Sequence, residues 1–208
     1  MLKEYNRVLN DYIDIQQWQK IQDNFSVVTE VGLRLVNSDG SLITAYSRQP
    51  HLCRKLLQDS PAKAIICGTC LPTFLHGKAV VDKNLSFVCE AGLHNFITPL
   101  KLLNGKILAY LVVGPVILVM RKSKEEYRQI GRELGIDFDD FWNALLEIRT
   151  ISFHCAQSLV ELVRDVAEYT IKSAYQNVSR DKGAIMASGK AQLTKLLDAL
   201  LDVAFEIS

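Results

Sequence analysis

The sequence predicts an α+β domain, an antiparallel sheet with flanking helices and a C-terminal helical extension. Three observations predict it. Two apolar runs, 95–103 and 106–113, flank Asn104-Gly105, a strong short-range hairpin signal. Shorter apolar runs at 33–36, 42–46 and 85–89 have the length of strands. From residue 124 onward, apolar residues recur at helical spacing. With 208 residues, 49% of them hydrophobic, the chain can build one substantial core with a helical appendage.

Asp14 is placed to cap a first helix, with Gln17 in the reciprocal position. Ile15, Trp18, Ile21, Phe25 and Val28 follow at helical spacing, and Gly32 is the expected stop. Strands at 33–36 and 42–46 surround Ser38-Asp39-Gly40, which is turn chemistry. Residues 51–81 read as broken helix, with Pro61 and Pro72 each starting a helical turn. A short strand at 85–89 precedes the central hairpin, and 116–119 extends that hairpin beyond a bend at Gly114-Pro115. A helix at 124–134 stops at Gly135. Asp137 caps the next, whose apolar side carries Phe138, Phe141, Trp142, Leu145 and Leu146. A long helix at 151–175 bears a stripe of Phe153, Ala156, Val160, Val163, Ala167, Thr170, Ile171 and Ala174. Residues 177–189 are polar and read as a hinge, before a final amphipathic helix at 191–205. The expected organisation is a sensory unit at 13–175 and a hinge with terminal helix at 176–208.

Several classes are disfavoured. A net charge of +1 argues against a broad nucleic-acid surface. The longest apolar run, 107–120, is shorter than the roughly 20 residues of a membrane helix, and Gly114-Pro115 interrupts it. Lys3, Glu4, Asn6 and Arg7 break up the N-terminal segment, so no secretory signal is expected and the chain reads as cytoplasmic. There is no Walker loop, no GxGxxG after a strand, no GxSxG and no HExxH. Asp139-Asp140 and Glu125-Glu126 suit helix N-termini better than paired catalysis. No enzymatic activity is expected.

An antiparallel sheet with helices on one face resembles the PAS and GAF sensor folds. Cys53 early in a helical stretch, Cys67 or Cys70 before another helix, and Cys89-x-Ala91-Gly92-Leu93 leading to Pro99-Leu100 resemble the PocR sensory domain. Gly105-Lys106-Ile107-Leu108 and Gly114 also fit its pattern. The resemblance runs from about Trp18 to Tyr175 and is most specific around Cys89. It implies a PAS-like ligand-binding domain of bacterial transcription regulators and histidine kinases, sensing small molecules such as simple diols and hydrocarbon derivatives. Cys53, Cys67 or Cys70, and Cys89 match the family's recurrent cysteines. The chain departs from the pattern in two ways. Pro115 follows the glycine where family members often carry Gln, and an extra cysteine turns 67–70 into a CxxC.

CxxC sets two thiolates within one helical turn, able to reach one soft metal ion or each other. With Cys53 and Cys89 the set has four ligands, suited to zinc or an iron–sulfur cluster. Buried cysteines also serve as small apolar side chains, and Cys155 on the long helix fits that role. His94 opens the hairpin beside Cys89 and is the best imidazole contact among His51, His76, His94 and His154. Phe87, Phe96, Thr98, Tyr110 and Val112 are expected to line a cavity on one sheet face, Thr98 and Tyr110 each offering a hydrogen bond. The candidate ligand-binding set is Cys89, His94, Phe96, Thr98 and Tyr110; the candidate metal set is Cys53, Cys67, Cys70 and Cys89.

The expected function is a sensor. A small-molecule ligand or cysteine-held metal centre shifts the long helix, which pairs with its copy in a homodimer and signals to an effector domain or partner protein. The alternatives are a cysteine-based redox or iron–sulfur protein and a ligand-free interaction module.

Overall fold

The computed structural model describes residues 13–37, 40–56, 83–102 and 105–180. Asp14 opens the first helix, its carboxylate accepting from the Gln16 and Gln17 amides at 3.0 Å each. This helix, α1 (Ile15–Thr29), buries Trp18 and Phe25. It ends at Glu30, whose backbone is left-handed at φ 57°, two residues before the expected glycine. Val28 is exposed, and the inward positions belong to Gln22 and Ser26 as well as the rings. Gln22 is satisfied there. Its amide nitrogen donates to Ala45 O at 2.8 Å and Ser47 Oγ at 2.7 Å, and its oxygen accepts from Thr44 Oγ1 at 2.8 Å.

Four strands pair antiparallel in the order β1-β4-β3-β2: β1 (Leu33–Val36), β2 (Leu85–Val88), β3 (His94–Lys101) and β4 (Ile107–Leu118). A fifth, β5 (Thr150–Ile151), runs parallel to the end of β4. The expected strand at 42–46 is reduced to bridges from Leu42 to Val36 and from Ser47 to Leu33, an edge beside β1. The two hairpins close alike. Cys89 N donates to Leu93 O at 2.9 Å with Gly92 at φ 75°, and Leu102 N donates to Lys106 O at 2.8 Å with Gly105 at φ 80°. Each glycine takes the left-handed position of a bulged hairpin loop. β4 does not break at Gly114-Pro115: it continues through this cis bond, and Val116 still pairs with His94.

Register sorts the sheet into two faces. Leu33, Phe96 and Val113 stand side by side, as do Leu35, Thr98 and Leu111. α1 and the long helix α4 (Phe153–Arg180) cover this face, building the main core from Trp18, Phe25, Ala156, Val160, Val163, Ala167 and Ile171. The opposite face carries Val36, Ile97, Tyr110 and Val112, with Phe87 and Ile107 against them, and no residue of a described helix belongs to that cluster.

The helix α4 starts at Phe153; residue 151 belongs to β5. Its stripe from Ala156 to Ile171 is buried in the chain's own core, while Phe153 is exposed. That part of the stripe is occupied within one chain, so it does not by itself call for the second copy expected from the sequence. The helix continues through Arg180, past the expected start of the hinge, and residues 181–208 lie outside the described residues.

A second core lies at the β2–β3 turn. Here α2 (Lys124–Leu134) and α3 (Phe138–Leu146) pack against a π-helical turn, Leu52–Leu56. α2 begins with a reciprocal box between Ser123 and Glu126 and ends at left-handed Gly135. Tyr127 and Phe141 meet edge to face at 6.3 Å in its centre. The α+β, PAS-like architecture expected from the sequence is the one observed. No described helix is long and apolar enough to cross a membrane.

Candidate functional site

Cys89 precedes the β2–β3 turn and Cys53 lies on the π-helical turn, yet both pack into the core under α2 and α3. Cys53 is buried and Cys89 half-buried. Gly92 holds the turn against α2; a side-chain carbon placed on it would meet Ile130 Cδ1 at 3.3 Å. Cys155 packs against the other core, so it is not part of this group. Cys67, Cys70 and His76 lie outside the described residues. Among the described residues, no group of three or more His, Cys, Asp or Glu could hold a metal ion.

His94 is the first residue of β3, paired with Val88 on one side and Val116 on the other. Burial, and secondarily the Lys122 ammonium, lowers its pKa below 6.5. Its imidazole is therefore neutral at neutral pH, the form in which a nitrogen can accept a bond or a metal. The unfolded chain takes up the proton first as pH falls, so stability present above pH 6.5 is lost below it. His94→Gln is expected to flatten the acid side of the stability profile below pH 6.5, measured by urea unfolding across pH.

The cavity-lining set divides between the two sheet faces, correcting the expectation of one. Phe96 and Thr98 look toward α4, and Tyr110, Val112 and Phe87 look the other way. Phe96 borders a cavity of about 120 Å³ between β2 and α4, shared with Asn84, Ser86, Phe153, Gln157 and Glu161. Its ring lies 6.2 Å from that of Phe153, and Thr98 donates its hydroxyl to the Asn84 side-chain oxygen. On the opposite face, Tyr110 shares the sheet with Arg34, which is only 8% exposed and stacks its guanidinium 4.4 Å from the Tyr46 ring. Tyr46 donates its hydroxyl to Gly114 O at 2.7 Å. Sequence reasoning passed over Arg34 and Tyr46. The signal was a charge inside the apolar run Leu33-Arg34-Leu35-Val36, where every position is buried.

A family model described as the sensory domain found in PocR matches residues 11–175. The chain belongs to the PocR sensory domain family. No curated protein and no solved structure matches it. Membership gives the chain a sensor's role in signalling. The match spans everything from α1 into α4, including the Cys53 turn, the Cys89 turn and the segment between them that carries Cys67 and Cys70.

The PocR domain joins its cysteine-bearing core to α4 by a short route. Arg121, just past β4, donates to Leu145 O at 2.7 Å and Ile148 O at 3.1 Å, tying down the end of α3 and the chain that leaves it. Two residues after Ile148 comes β5, held to β4 by Ile117 N to Arg149 O at 2.9 Å and Val119 N to Ile151 O at 2.8 Å. α4 begins directly after it, its first turn supported by Ser152 Oγ accepting from Cys155 N at 3.0 Å.

Proposed function

We propose that this PocR domain receives its input at the core that holds Cys53 and Cys89 and delivers it through α4 to an effector of the transcription-regulator or kinase kind. The supporting observation is that two thiols far apart in the chain pack in one small core, against the helices that lead into β5 and α4. Cys67 and Cys70 would complete a four-sulfur set suited to zinc or an iron–sulfur cluster, and His94 is the neutral nitrogen at the same end of the sheet as Cys89. Anaerobically purified protein is expected to carry zinc or iron, lost with any visible absorbance in Cys53→Ser and Cys89→Ser. Metal-free wild type, or variants that keep the metal, would sink this assignment.

A second reading places a small organic ligand in the cavity beside Phe96. It draws on the contact of that cavity with α4 itself through Phe153, Gln157 and Glu161. Thermal shift against small alcohols, aldehydes and acids under reducing conditions separates the two, since Phe96→Ala removes the response here and leaves metal content intact.

A further inference from the structure

A separate groove of about 240 Å³ lies where α1 ends, the π-helical turn begins and the chain enters β5. It brings together Arg48 and Arg54, from the stretch that enters the π-helical turn, and Arg149, from just before β5, with Glu30, Glu147 and His51. Glu30 is shared by two of the guanidiniums, Arg149 at 2.7 Å and Arg48 at 3.6 Å. Among the described residues, three cations therefore line the groove with two carboxylates, one of which is bound twice over, and their balance is positive. Its shape is held by unusual backbone. Glu30 and Arg48 both have left-handed conformations, at φ 57° and 49°, which residues with side chains seldom adopt. Gly32 is confined as well, since a side-chain carbon there would stand 2.7 Å from Gly114 O.

The geometry points to a binding site for a compact oxyanion, a phosphate or a small carboxylate, held by Arg48, Arg54 and Arg149. Guanidiniums pair with both groups through parallel charged hydrogen bonds. The site also touches the output, because Arg149 is the residue immediately before β5 and its carbonyl accepts the Ile117 amide. It rests on none of the sulfur chemistry, so Cys89→Ser is expected to leave it unchanged.

The test is thermal unfolding of the whole chain with inorganic phosphate, acetate or succinate, at an ionic strength fixed with chloride. A saturable rise in Tm is expected with at least one. A response to phosphate alone assigns a phosphate-bearing ligand, and a response to carboxylates alone assigns a carboxylate. Arg54→Ala, on an exposed side chain, and Arg48→Ala are expected to raise the half-saturating concentration about tenfold or more, the loss of a charged hydrogen bond. Lys106→Ala, at the hairpin tip, is expected to leave it unchanged. No saturable rise with any of the three anions, or an equal change in Lys106→Ala, would overturn the proposal.

Discussion

Phe141→Ala is expected to destabilise the domain by about 3–5 kcal/mol, the range for truncating a buried aromatic side chain. Phe141 is fully buried in the core that also holds Cys53 and Cys89, and its ring meets Tyr127 and borders Gly131. A cavity at this point lies inside the proposed input site rather than in the main core under α1. Urea unfolding measures the loss. A thiol-reactive dye gives the second reading: Cys53 and Cys89 are expected to label faster in the variant, while Cys155, in the other core, keeps its rate. Uniform acceleration of all three would show that the two cores open together.

Gly114→Ala is expected to cost about 3 kcal/mol or more, combining strain at a glycine-only conformation with overpacking. Gly114 has φ 127°, and a side-chain carbon there would stand 2.9 Å from His94 O and 3.1 Å from Asn95 Cα. Both obstacles are backbone, so no side chain can swing away. Gly114 also accepts the Tyr46 hydroxyl and donates its amide to Gly32 O at 2.8 Å. The substitution therefore disturbs β1, β3 and β4 where they come closest. Urea unfolding is again the measurement; a loss under 1 kcal/mol, or the gain of about 0.4–1 kcal/mol that glycine to alanine gives at an unstrained site, would show that the strand relaxes.

Local chemistry made much of this fold legible. α2 is bounded by Ser123, Glu126 and Gly135, three residues that act within a turn of themselves, and its limits were read correctly. The central hairpin was legible because Gly105 supplies the one conformation its loop needs; the β2–β3 hairpin, where Gly92 plays the same part, was not read. α1 was misread on its inward face because Gln22 and Ser26 look like solvent-facing residues, and only the 42–47 edge supplies Gln22 with its partners. β4 was divided at Gly114-Pro115 because that pair usually ends a strand. The split of Phe96 and Thr98 from Tyr110 was legible and missed. Pairing across Asn104-Gly105 joins residues of opposite parity, which sets Pro99 beside Tyr110 and Thr98 beside Leu111. The placing of Cys53 and Cys89 at one core had no local signal. It depends on α3 folding back over the π-helical turn.

The smallest strand has the largest consequence. β5 is two residues long, and with Arg121 it is the fastening at the root of a 28-residue helix. Such a joint is a detachable clasp: it can let go while the four main strands stay zipped. Under the proposed function, a stimulus that unhooks Arg121 or the Ile117 and Val119 amides would loosen the approach to α4 while its apolar stripe stays seated in the main core.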